Sequence, residues 1–313
     1  MIAVVDARRA TWWCCLLSTA ATGVLLAVTG TGVAIPPLLM MVGCIAILGG
    51  VHLVYTRWRP EPRVADLTGG LAAVFWAGLS AGVLALAALR MGAPLVDATL
   101  AHLDAALLID TPALVRWVAR RPLVGEVLDI VYLSAVPMVF TTVALLAIRQ
   151  ESDRMWEICF SFAGASFLSA LALTFMPAVA AFTFLKIDSE IVAGLPDGSG
   201  KFFLSTLEGF RSGRLSQIDI FHLEGVVTFP SFHAAMACMI AYALRHIRVV
   251  GHLGWVWCAV VLVSTVPIGG HYAIDVLGGA LLWGAFALIV RYRIGPQATK
   301  VRFRVPAFKS QIG

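Results

Sequence analysis

Two short stretches hold the residues whose types and spacing could do chemistry. In GVVTFPSFHAAMA, Ser231 and His233 stand just behind Pro230 at the mouth of an apolar run. In STVPIGGHYAIDVLGG, His271 and Asp275 stand at a second such boundary. Pro230 suits the first turn of a helix, because its missing N–H is one that goes unpaired there anyway. The free N–H groups of that turn, beside Ser231, form a ready anion site, and His233 lies within the same turn. Gly269 and Gly270 let the chain come close to a bound group just before His271. If a helix starts there, His271 and Asp275 are four residues apart and share a face. A carboxylate so placed fixes the tautomer of an imidazole and strengthens it as a base. Two histidines, a carboxylate, a helix N-terminus and basic residues nearby converge on one anion. The natural anion is phosphate.

The elements that must position these groups are membrane helices. The chain has 313 residues, of which 60% are hydrophobic and 13% charged, too apolar for a soluble domain. A span needs roughly 20 mostly apolar residues. Such runs fall at about 10–32, 36–56, 67–89, 126–148, 156–185, 231–247, 253–268 and 272–290, which predicts an all-α integral membrane protein with about eight transmembrane helices. The first run follows Arg8 and Arg9 but exceeds a signal-peptide core and lacks a convincing small-residue cleavage site, so it reads as a retained span. No clear internal repeat is present.

Charge sets the expected orientation. With the N-terminus in the cytoplasm, 15 Lys and Arg residues fall on that side, among them Arg8, Arg9, Arg57, Arg245, Arg291, Lys300 and Arg304. The opposite side holds 8, including Arg90, Arg116, Arg120, Arg121, Lys201, Arg211 and Arg214. The bias follows the positive-inside rule, so the net charge of +5 is a topology signal and not a nucleic-acid footprint. Both termini are then cytoplasmic, the basic tail can touch anionic headgroups, and His233 and His271 face the extracytoplasmic side of an inner or plasma membrane. All six cysteines lie in apolar runs without metal-motif spacing and read as small buried apolar residues.

Two outer segments are long enough to shape a site. In 91–125, Val96, Leu100, Leu103 and Leu107 recur at helical spacing, interrupted by Asp97, His102 and Asp104, which predicts an interfacial helix. Segment 187–229 is rich in glycine and polar residues, carries Lys201, Arg211, Arg214 and His222, and leads into Ser231.

Each residue alone has a plainer reading. A histidine at a membrane boundary is commonly just hydrogen-bonded, Asp275 could pair with an arginine, and loop arginines are usually solvated. Haem ligation by His233 and His271 leaves Ser231 and Asp275 without a role, and metal binding by His233, His271 and Asp275 is no better motivated. Only the combination points to phosphate chemistry.

That combination resembles the type 2 phosphatidic-acid phosphatase superfamily, whose second and third signatures are PSxH and SRxxxxxHxxxD. Here they read PSFH and, from Ser264, STVPIGGHYAID. The resemblance covers roughly 67–290, a six-helix core, with a helix pair at 1–66 in front and a basic cytoplasmic tail at 291–313. It implies His271 as the nucleophile that forms a phosphohistidine, Asp275 as its orienting carboxylate, and His233 as general acid. Ser231 and Gly270 would then bind phosphate. It also implies a membrane lipid phosphate as substrate, with neither metal nor other cofactor.

Two departures stand out. Thr265 occupies the place of the signature arginine, and the first signature, KxxxxxxRP, is missing. Arg59-Pro60 and Arg121-Pro122 lack the lysine seven residues before the arginine. Arg211, Lys201 and Arg214 are the candidates to replace that cationic clamp, with Arg211 preferred. The departures are similar to the branch of the inositol-phosphorylceramide synthases, which implies a lipid alcohol as a possible acceptor in place of water. The competing class is a transporter or lipid-binding channel with histidines as relay groups, which predicts ionisable residues along a path through the membrane. Apart from Asp129 and His52, they gather mainly at one face.

Overall fold

The computed structural model describes residues 5–295 except 224, 227 and 228, so most of the expected basic tail lies outside the described residues. Helix α1 (Ala7–Thr29) starts where the Asp6 carboxylate accepts the Arg8 N–H and stops at Gly30 in the left-handed region. Helices α2 (Ile35–Arg57) and α3 (Pro62–Leu89) both open with proline in the first turn, where no N–H is needed. Then come α4 (Asp97–Ala106), α5 (Thr111–Ala119), α6 (Pro122–Leu133), α7 (Ala135–Ile148) and α8 (Ser152–Leu173). Short helices α9 (Ala181–Phe184), α10 (Ser189–Val192) and α11 (Leu204–Arg211) punctuate the long loop before α12 (Phe232–Leu244), α13 (Arg248–Ser264) and α14 (Ala273–Arg293). Two parallel two-residue pairings, Val5–Asp6 with Ile294–Gly295 and Gly32–Val33 with Gln217–Ile218, are the strands among the described residues.

Five helices, α1, α2, α3, α8 and α14, are long and apolar enough to cross a membrane. Two bent pairs, α4–α5 at 86° and α6–α7 at 46°, raise the candidate spans to at most seven. By length and composition among the described residues, the eight spans expected from the sequence are not confirmed. The run at 156–185 stops at Leu173, while α12 and α13 have only 13 and 17 residues. Ala234 through Ala241 are buried without a break. A helix wrapped so fully by protein has no need to match the bilayer thickness itself.

Helices α3 and α8 form the centre, with α1, α7 and α12 against them. The buried stripe of α1 is Ala7, Thr11, Cys15, Ser18 and Thr22, while Leu16, Leu17, Val24 and Val28 face outward. Small residues at a helix interface allow close approach, and their hydroxyls bond to backbone, as Thr22 does to Ser18 and Ser80. One end of the bundle gathers Arg8, His52, Asp66 and Trp156; the other gathers α4, α5, the 174–231 loop and the start of α14.

Gly278 and Gly279 hold the two signature stretches together. A Cβ on Gly279 would lie 2.2 Å from the Ser231 carbonyl oxygen and 2.8 Å from the Ala234 Cβ. Gly279→Ala is therefore expected to cost about 1–3 kcal/mol or more by overpacking and to separate α12 from α14. Gly284→Ala meets nothing within 4 Å and serves as control, expected to be neutral or stabilising by up to about 1 kcal/mol. Equal melting temperatures for the two variants would contradict this packing.

Candidate active site

The chain approaches α14 through Gly269 and Gly270, the latter at φ 77°, a conformation that favours glycine. Gly270 faces protein: its missing Cβ leaves room for the Gly200 backbone, 2.7 Å from where that atom would sit. Gly200 N–H donates to the Ile268 carbonyl and Ala181 N–H to that of Gly270, so two loops clasp this turn. His271 lies just before α14 and Asp275 in its first turn. Their side chains meet, with His271 Nδ1 3.1 Å from Asp275 Oδ2 and both residues buried. The same oxygen accepts the Tyr272 N–H at 3.0 Å, whereas Asp275 Oδ1 is buried without a hydrogen bond. With Asp275 accepting from Nδ1–H, the lone pair of His271 is on Nε2.

Helix α4 corrects the reading of segment 91–125. Its buried face is Asp97, Leu100 and Asp104, while His102, Leu103 and Leu107 are exposed. The carboxylates do not interrupt an apolar face; they are the inward contacts. Asp104 accepts the N–H groups of Ala273 at 3.0 Å and Ile274 at 2.8 Å, capping α14, and also the Thr111 hydroxyl. Asp97 accepts the Tyr272 hydroxyl at 2.9 Å and the Val179 N–H. Burial raises the Tyr272 phenol, and the neighbouring Asp97 carboxylate raises it further, so it stays a donor. Asp104→Asn turns one acceptor into a donor against an N–H. The variant should lose about 1–3 kcal/mol of stability and activity with it, and an unchanged melting temperature would contradict the cap.

A second correction concerns Pro230. It precedes α12 instead of opening it, joined to Phe229 by a cis peptide bond. Ser231 is the N-cap, wholly buried, with its oxygen accepting from Ala234 N–H at 3.5 Å. Its own N–H donates to the Asp275 carbonyl at 2.9 Å, a direct backbone link between the two signature stretches. His233, half-buried in the first turn, stacks on Tyr132 with ring centroids 4.4 Å apart and 19° between planes. Its Nδ1 is 3.4 Å from the Tyr132 hydroxyl. That hydroxyl also borders Gly269, two residues before His271. Tyr132 is thus the wall that His233 and the His271 turn share. Sequence reading missed it, because one tyrosine in an apolar run carries no spacing signal.

The basic candidates separate. Arg211 donates through Nη2 to the Ala93 carbonyl at 3.0 Å, and its Nη1 is buried with no hydrogen-bond partner. Lys201 and Arg214 are exposed, and His222 is exposed beside Asp219. Thr265, in the arginine's place, is fully buried and donates to its own helix at Val261, so it offers no cation. Among the described residues no three His, Cys, Asp or Glu side chains gather to hold a metal ion.

A family model described as PAP2 superfamily matches residues 98–289. The chain belongs to the PAP2 superfamily. The match begins in α4 and ends in α14, taking in all four signature side chains, Tyr132 and the Asp104 cap; α1, α2 and α3 lie outside it. No curated protein and no solved structure matches the chain. PAP2 superfamily members are phosphoric-ester hydrolases, so membership supports a phosphatase-type activity, and the apolar helices fit a membrane protein.

Proposed function

We propose that this PAP2 protein cleaves the phosphate ester of a membrane lipid through a phosphohistidine on His271. The observation that carries the reading is the buried His271–Asp275 pair, one turn of chain from the Tyr132 wall that holds His233. His271 Nε2 attacks phosphorus, and the bond to the lipid oxygen breaks in line. His233 gives its proton to the departing alkoxide; in the second step the incoming hydroxyl oxygen attacks phosphorus, the bond to His271 Nε2 breaks, and His233 takes the hydroxyl proton. Ser231, the first-turn amides of α12, and Arg211 through its unpaired nitrogen meet the phosphoryl oxygens, with Lys201, Arg214 and the Gly270 turn at the margin. No step needs a metal.

Residues 1–66 form an added helix pair and 67–290 the catalytic core, with termini cytoplasmic and the histidines outside. Water is the acceptor in the main reading. Transfer to a lipid hydroxyl, as in the inositol-phosphorylceramide synthase branch, is the second. It is favoured by α4, which caps the start of α14 through Asp104 and leaves Leu103 and Leu107 exposed.

Purified protein given mixed lipid phosphates without added metal should release phosphate, and product masses would report any transfer to added alcohols. No turnover of any lipid phosphate would defeat the reading. Cysteines introduced in 195–215 should react with impermeant thiol reagents from outside the cell, and those in 296–310 should not. The reverse pattern would invert the orientation.

A further inference from the structure

The two helices in front of the matched region do not close on each other. Helices α1 and α2 each lie along α3 and scarcely touch one another, so a seam runs between them with α3 as its floor. His52 is the one buried residue of α2. Two cavities lie end to end in that seam. The larger, about 530 Å³, sits at the end of the bundle away from the active site and is bordered by Arg8, Arg9, Trp12, His52 and Arg57, with Asp6 as the single acid. The other, about 400 Å³, continues toward the far end between Leu26, Val33, Leu38, Ile45, Trp76 and Val83.

The two cavities have opposite chemistry. In the second, the hydroxyls of Thr19, Thr22 and Ser80 are spent on Cys15, Ser18 and neighbouring groups, so its wall is apolar in effect. In the first, Asp6 is engaged as the N-cap of α1. Arg8 is held in place, its Nη2 2.5 Å from His52 Nε2 and its guanidinium over the Trp156 ring at 5.4 Å. His52 is fixed from behind by the Ala65 carbonyl, and its ring rests on Gly69, where any Cβ would collide with it. Arg9 and Arg57 are exposed and free to close on an anion. Trp12 and Trp76, with ring centroids 6.0 Å apart, mark the junction. Trp12 borders the basic cavity and Trp76 the apolar one.

We propose that this seam binds one anionic phospholipid, its phosphate between Arg8, Arg9 and Arg57 and an acyl chain along the apolar cavity. Charge complementarity selects the headgroup: three arginines outnumber the two acids beside them, Asp6, engaged as the N-cap of α1, and Asp66, which accepts the Trp156 indole N–H. Reach agrees at the near end of the apolar cavity. From Arg8 to Thr22 the seam runs roughly 21 Å at 1.5 Å per residue. One leaflet with its headgroups is about 20 Å deep, so an acyl chain enters that cavity without filling it to Leu26. The site is remote from His233 and His271 and stands independently of the proposed reaction.

The test uses the full chain in mixed lipid nanodiscs with two photoactivatable probes, phosphatidylglycerol and phosphatidylcholine, each carrying a diazirine in one acyl chain. Labelled peptides are mapped. The phosphatidylglycerol probe should label the seam faces of α1, α2 and α3, at Thr19–Leu26, Leu38–Ala46 and Trp76–Val83, well above the phosphatidylcholine background. Arg9→Gln with Arg57→Gln should cut that excess roughly tenfold or more, since each arginine beside an anionic headgroup contributes several-fold. Ala46→Trp, which fills the apolar cavity from an exposed position, should remove it. Both variants should keep the wild-type melting temperature within a few degrees, which shows that they fold. Equal labelling by the two probes, or an excess that survives both variants, overturns the proposal.

Discussion

His271→Ala is expected to abolish turnover, lowering it by at least roughly 10⁴-fold, the scale seen when a covalent nucleophile is removed. The fold leaves no substitute. His271 is the imidazole whose Nδ1 is held by a buried carboxylate, with Nε2 left as the attacking atom. The adjacent Tyr272 hydroxyl donates to Asp97, and Ser264 and Thr265, the nearest aliphatic hydroxyls in sequence, are buried and donate to Val261. Ser231 caps α12 without an adjacent base to activate it. The variant should keep its melting temperature within a few degrees, because among the described residues the His271 ring bonds only to Asp275, and the backbone N–H bond to the Thr265 carbonyl is untouched. Should it instead hydrolyse lipid phosphate at a tenth of the normal rate, the nucleophile lies elsewhere.

His233→Gln should slow a lipid alkoxide leaving group by about a hundredfold or more, the usual worth of a general acid. A nitrophenyl phosphate, whose leaving group needs no proton, should suffer far less. Glutamine can still reach toward Tyr132, so binding geometry is largely kept while the titrating ring is lost. An equal loss on both substrates would reassign His233 to phosphate binding. The two variants together separate attack from protonation.

Much of this was legible in the sequence, and the misses share a physical cause. Apolar runs locate membrane helices, but hydropathy does not say which face is inside. In α1 the buried face is Thr11, Ser18 and Thr22 and the outward face is leucine and valine, the inverse of a soluble helix. The same inversion misled the reading of α4, where Asp97 and Asp104 turned inward to hold the His271 turn. Spacing revealed the His271–Asp275 pair because the contact is local. The stacking of Tyr132 on His233 joins residues 101 apart and leaves no such trace. Helix ends were the other weakness: α8 stops early and α12 starts after Pro230, because caps and loops at the site, not lipid thickness, set those boundaries.

In the proposed reaction, phosphorus passes through His271. Wild-type protein mixed with ³²P-labelled lipid phosphate, quenched in alkali within one turnover and digested, should yield one labelled peptide. That peptide should contain His271, and its label should be stable to base and lost in acid, as expected of a phosphorus–nitrogen bond. Label on a peptide carrying His233 or Ser231, or its absence under conditions where product forms in a burst, would contradict the account.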